Sequence, residues 1–185
     1  MEMNDLQDLM VEELRDLYSA ENQLLKALPK VAKACENQEL KAAIQQHTQE
    51  TEVHVDRLEQ IFKQLGEKPT GKKCKGMEGL IEENKEMMSE DAEPEVMDAG
   101  LIVGSQKIEH YEIAGYGSAV TFAKLLGNDE AARLLAQTLD EEERTDQKLT
   151  EIAESSINVE AAEGGDGAEE TTTRSSGRSR SKRSR

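Results

Sequence analysis

Two histidines and a series of acids stand where helical periodicity would otherwise place apolar side chains. Leu14, Leu17, Leu24 and Leu28 repeat at helical spacing, and Glu21 falls within their stripe. Ile44 and Leu58 bracket His47, then Glu50 or Thr51, then His54. Farther on, Ile102, Ser105, Glu109, Glu112, Ile113 and Tyr116 share one face. Leu135, Thr138, Glu142, either Thr145 or Asp146, and Leu149 share another. A charge buried alone costs on the order of several kcal/mol, so inward-facing acids need partners. About four to six carboxylates meeting in one core would raise one another's pKa unless a cation neutralised them. Two divalent metal ions would do so, and carboxylate plus imidazole donors suit iron or manganese.

Four helices are needed to bring these residues together. Apolar positions at helical spacing mark a first helix over about 4–34, with Pro29 expected to kink it. Asn37 is a cap for a second helix, which Gly66, Pro69 and Gly71 end. Residues 67–93 form a long connection containing a short amphipathic helix at about 77–89. Pro94 opens a third long helix that Gly127 stops, and Asn128 or Asp129 caps a fourth, which runs to about Ser155. The tight first and last connections make antiparallel hairpins, and the long middle one supplies a single crossover. The expected fold is therefore an all-α, ferritin-like antiparallel four-helix bundle with a short extra helix in the crossover.

That architecture has its own metal template: one Glu from each of two helices and Glu-x-x-His from each of the other two. The chain matches it only in part. Glu50 and His54 are four apart, the partner three before His54 is Thr51, and the third long helix carries Glu109-x-x-Glu112. Glu142 and Asp146 follow on the fourth without a histidine. The expected ligands are Glu21, Glu50, His54, Glu109, Glu112, Glu142 and Asp146, with His47, His110 and Tyr116 supporting them. Cys35 and Cys74 make neither a disulfide framework nor a zinc spacing, and Cys74 reads as an exposed loop thiol.

Composition agrees with a helical body. Hydrophobic residues make up 36% and aromatics 3%, which suits a core of Leu, Ile, Val and Ala. The net charge of −16 is uneven: residues 1–170 carry −22, a body that repels nucleic acid and draws cations. After residue 158 the pattern turns Gly-, Ser- and Thr-rich and acidic, then Arg-rich, and residues 159–185 read as a disordered tail beyond a 1–158 bundle. Arg174, Arg178, Arg180, Lys182, Arg183 and Arg185 would give that tail salt-sensitive attachment to nucleic acid. No stretch of 18 apolar residues is present and the start lacks a secretion signal, so the expectation is a cytoplasmic protein without a membrane partner.

Several segments resemble a known family. They are Tyr-Ser-Ala-Glu-Asn-Gln-Leu at 18–24, Leu-Pro-Lys at 28–30 and Glu-Thr-Glu-Val-His-Val-Asp-Arg-Leu at 50–58. Met-Glu-Gly-Leu-Ile-Glu-Glu at 77–83, Gln-Lys-Ile-Glu-His-Tyr-Glu-Ile-Ala-Gly-Tyr-Gly at 106–117 and Thr-Leu-Asp-Glu-Glu at 138–142 complete the set. Over about residues 4–155 the chain resembles the YciE/YciF-like bacterial stress proteins of the ferritin-like superfamily. The resemblance implies a homodimer and a di-metal site like that of rubrerythrins. Combined with the candidate ligands, it makes the leading expectation a di-iron or di-manganese oxidoreductase. Such a protein would act on peroxide or oxygen in a catalase- or peroxidase-like way, or oxidise Fe(II). The alternative is a non-enzymatic stress scaffold with a nucleic-acid-binding tail.

Overall fold

The structure is a computed structural model and describes residues 3–70 and 72–166. Among the described residues are four long helices and two short ones: α1 (Leu6–Ala34), α2 (Gln38–Leu65), α3 (Lys75–Met87), α4 (Pro94–Leu125), α5 (Asp129–Ile152) and α6 (Asn158–Asp166). A single π-helical turn, Ala153–Ile157, joins α5 to α6. No strand occurs among the described residues. α1 packs on α2 and α4 on α5, and the two hairpins meet through α1–α4 and α2–α5 contacts. This is the ferritin-like bundle with one crossover, and α3 lies in that crossover against α4.

The helix ends follow local chemistry. Asp5 accepts from the Asp8 amide at the start of α1, Asn37 from the Glu39 and Leu40 amides at α2, and Asn128 from the Ala131 amide at α5. Pro94 occupies the first turn of α4, where its missing N–H costs nothing. Gly66 and Gly127, at φ 69° and 70°, close α2 and follow α4 in the left-handed conformation that glycine adopts without strain. Pro29 lies inside α1, exposed, and the helix continues past it to Ala34. At the far end Ile152, Ala153 and Ile157 remain buried, which carries the helical chain past Ser155 to Asp166.

Two apolar clusters fill the bundle, one toward each end. One gathers Leu24, Leu28, Leu40, Ile44, Leu101, Ile102, Leu149 and Ile152. The other gathers Met10, Leu14, Leu17, Leu58, Ile61, Phe62, Ala119 and Leu135. Between them along each helix lie buried polar residues: Glu21 on α1, His47, Thr51 and His54 on α2, Glu109 and Glu112 on α4, and Thr138 and Glu142 on α5. The core is thus two greasy plugs with a polar layer between them.

The glycines of α4 allow close approach within the chain. A methyl group at Gly104 would collide with the Asn84 side chain of α3, and one at Gly115 would stand 2.8 Å from Leu17 Cδ2 of α1. Cys74, expected as an exposed loop thiol, is instead fully buried at the start of α3. Its Sγ lies 2.9 Å from Tyr111 Oη, which donates to Asp16 at 2.5 Å. Cys74 caps α3, its Sγ accepting from the Met77 amide, and Tyr111 of α4 holds the thiol inward.

Candidate metal centre

Six ionisable side chains occupy the polar layer: Glu21, His47, His54, Glu109, Glu112 and Glu142, each no more than 1% exposed. They form two groups. His47, Glu109, Glu112 and Glu142 can each place a ligand atom within 4.8 Å of the others, and so can Glu21, His54 and Glu142. Glu142 belongs to both groups. Four carboxylates and two imidazoles make the same inventory as the ferritin-like di-metal template, but differently distributed. Both histidines come from α2, two turns apart, and α4 supplies two carboxylates.

The hydrogen bonding of the layer is incomplete. Eight buried atoms have no hydrogen-bond partner: Glu21 Oε2, His47 Nε2, His54 Nδ1, Glu109 Oε2, and both oxygens of Glu112 and of Glu142. Buried polar atoms are nearly always satisfied, so a convergence of eight calls for an occupant. His54 Nδ1 stands 3.1 Å from Glu142 Oε1 and 3.4 Å from Glu21 Oε1, close but not aligned for a hydrogen bond. His47 Nε2 lies 3.3 Å from Glu109 Oε1 in the same way. Four carboxylates and two imidazoles are donors that could hold a divalent cation.

Burial and like charge set the protonation of the layer. Desolvation, then the Glu142 carboxylate, hold Glu109 well above the usual carboxylate range. Desolvation, then Glu21 and Glu142, do the same to Glu112. Burial also raises Glu21, partly offset by His54. Burial works against the His54 cation, yet Glu142 and Glu21 outweigh it and push the pKa up to about 10. For Glu142 burial is outweighed by His54 and His47, and its pKa falls. The layer therefore carries protons that a bound cation would have to displace.

A support shell fixes these groups. Glu141 lies 2.9 Å from His54 Nε2 and is gripped by both terminal nitrogens of Arg57, one of which also donates to Thr138 at 3.1 Å. With Nε2–H held by Glu141, Nδ1 is the atom His54 turns toward Glu21 and Glu142. Tyr116, fully buried, donates a short hydrogen bond to Glu21 Oε1 and leaves Oε2 free. Thr145 Oγ1 lies 3.4 Å from His47 Nδ1.

The layer brings together Glu21, His54, Glu109, Glu112 and Glu142 from the expected ligands, and adds His47, which had been read as a supporting residue. The seven-residue interval from His47 to His54 was the available signal, since it returns to nearly the same helix face. Glu50 and Asp146 lie outside both groups, their side chains 29% and 23% exposed. Glu50 and Thr51 flank the His47–His54 line at about 50° on either side, so angle alone does not choose between them. Thr51 takes the buried position, its hydroxyl satisfied by the His47 carbonyl at 2.9 Å, and Glu50 stays at the edge of the bundle. Asp146 accepts from Gln106 at 3.0 Å and faces the exposed His110 at 3.4 Å, so His110 attends Asp146 on the α4–α5 seam instead of a member of the layer. Arg57 and Glu141 had not been singled out, although Arg57 stands one turn from His54. The basic residues from Arg174 to Arg185 lie outside the described residues.

Residues 5–162 match the family described as Domain of unknown function (DUF892). The chain is 44% identical to the Escherichia coli (strain K12) protein YciF over 162 residues, which is 87% of this chain and 98% of YciF. The crystal structure of the E. coli stress protein YciF superposes with a TM-score of 0.82, covering 84% of this chain and 99% of that one. YcfI from Rhodopseudomonas palustris gives a TM-score of 0.78 at 40% identity, covering 80% and 95%. A two-domain protein from Anabaena variabilis, containing DJ-1/ThiJ/PfpI-like and ferritin-like domains, matches at 16% identity with a TM-score of 0.54. It covers 97% of this chain and 42% of that one, and it supports the ferritin-like fold alone.

Proposed function

The chain belongs to the YciF-like family described as DUF892, and on that premise we propose that it is a di-metal stress protein. Its polar layer would hold two iron or manganese ions and act on peroxide or oxygen, or oxidise Fe(II). The observation that carries this reading is the convergence of eight unpartnered buried atoms on two groups that share Glu142. The description of the E. coli relative as a stress protein supports the setting.

Two redox metals held side by side, when bound, supply paired one-electron steps toward peroxide, oxygen or Fe(II). The chain's own residues do the rest. Glu142, which belongs to both groups and has both oxygens unpartnered, would contribute to either position. Glu21 and His54 Nδ1 would complete one position, and Glu109, Glu112 and His47 the other. Glu109, Glu112 and His54 Nδ1 would give up their protons to a bound cation, while the Nε2 proton would remain on His54, hydrogen-bonded to the Glu141 carboxylate. Tyr116 and the two apolar clusters exclude bulk water from both sides.

The test is elemental analysis of full-length protein purified without chelators, followed by turnover assays with hydrogen peroxide and with Fe(II). About two metals per chain and turnover of one of the two substrates are expected. Full metal loading with no turnover would reduce the reading to metal binding alone.

A further inference from the structure

The six residues of the layer are sealed, so a cation needs a way in. The apolar clusters close both ends of the bundle. On the α1–α4 side a pocket of about 320 Å³ is lined by Leu17, Tyr111, Gly115 and Phe122 among others, but none of its lining residues bonds a member of the layer, and Tyr116 and Leu17 are buried there. The α4–α5 seam is polar, but Gln106 donates to both Asp146 and Thr150, at 3.0 and 2.8 Å, and ties it shut. The α2–α5 seam differs. A surface pocket of about 330 Å³ opens there, lined among others by Glu39, Ala42, Gln46, Glu50, Glu141 and Thr145.

The floor of that pocket touches the layer. Glu141 bonds His54 at 2.9 Å, and Thr145 meets His47 Nδ1 at 3.4 Å. Glu50 bridges the remaining depth: Oε1 accepts from Gln46 Nε2 at 3.0 Å, and Oε2 lies 3.9 Å from His47 Nδ1. The same nitrogen is 3.8 Å from Glu142 Oε2. A half-exposed carboxylate, an imidazole and a buried carboxylate thus stand in line from solvent to the layer. The two basic side chains of the rim are already engaged, Arg144 with Asp140 and Lys148 with Glu39.

We infer that the α2–α5 pocket is the entry port for the divalent cation, with Glu50 as the capturing carboxylate that hands it past His47 to Glu142. The inference rests on the metal-binding reading above and assigns Glu50 to the path instead of the ligand set. A negatively charged mouth on a strongly acidic body concentrates cations and speeds their arrival in a salt-dependent way.

Mn(II) uptake by full-length metal-free protein tests it, with rate and final stoichiometry read separately and folding checked by melting temperature. Glu50→Gln should slow uptake about tenfold and remove much of its salt dependence, with stoichiometry unchanged. Ala42→Phe, which fills the pocket from an exposed position, should slow it similarly, and Asp146→Asn on the closed seam should leave the rate within about twofold of wild type. Wild-type rates in both Glu50→Gln and Ala42→Phe would overturn the port, as would equal slowing by Asp146→Asn. Lost stoichiometry in Glu50→Gln would overturn it by making Glu50 a ligand. Failure of the wild type to take up Mn(II) would sink the metal reading itself, a result distinct from all of these.

Discussion

Glu112 presents two buried oxygens with no partner, and its pKa is raised by burial, then by Glu21 and Glu142. Its folded pKa lies above its unfolded value of 4.5, so its contribution to stability is fully present below about pH 4.5 and is lost as pH rises through the folded pKa. Glu109 has the same sign. His54, raised from 6.5 to about 10, adds stability that is present below 6.5 and lost toward 10. Metal-free protein should therefore melt at progressively lower temperature from about pH 5 upward. Glu112→Gln should flatten that slope and raise the metal-free melting temperature at pH 8 by about 3 °C, as scanning calorimetry would record. With metal present the trend should reverse, because binding competes with protons. The support shell makes a second prediction at this scale. Glu141→Gln should weaken metal binding about 10- to 100-fold without unfolding the bundle, since Arg57 and the His54 Nε2–H lose their charged partner. Chelator competition would measure it.

At the scale of elements, Asp98 is one of the ties between the hairpins. It is 3% exposed on α4 and accepts from the Glu36 amide at 3.1 Å and the Asn37 amide at 2.7 Å, in the turn between α1 and α2. Asp98→Ala should cost about 2 kcal/mol in urea unfolding by orphaning two backbone donors, with metal stoichiometry unchanged. The helices themselves were legible in sequence because their signals are local: Asn37, Gly66, Pro94, Gly127 and Asn128 act within one turn. The acids and His54 were legible because they interrupt apolar stripes. The choice between Glu50 and Thr51 was not, because it depends on how α2 rolls against α5, a tertiary matter. Nor was the inward turn of Cys74, set by its partners Tyr111 and Asp16 on other helices.

At the scale of the whole molecule, charge separates two roles. Residues 1–170 carry −22, in keeping with cation capture, while Arg174, Arg178, Arg180, Lys182, Arg183 and Arg185 form a basic end. We propose that any nucleic-acid binding resides in that end alone. A gel shift at two salt concentrations should show retardation by the full chain, weakening steeply with salt, and none by residues 1–166. Equal binding by both would contradict this. A homodimer is also proposed, and light scattering at twice the chain mass would support it. Among the described residues no helix is long and apolar enough to cross a membrane.

The central claim is that the polar layer holds two metals through Glu142. Its most direct test is equilibrium metal content, by elemental analysis after loading with Fe(II) or Mn(II) under exclusion of air, of the wild type beside Glu142→Gln. The account predicts about two ions per wild-type chain and a marked loss in Glu142→Gln, because one side chain serves both groups. Fewer than one ion per wild-type chain, or the same content in both proteins, would contradict it.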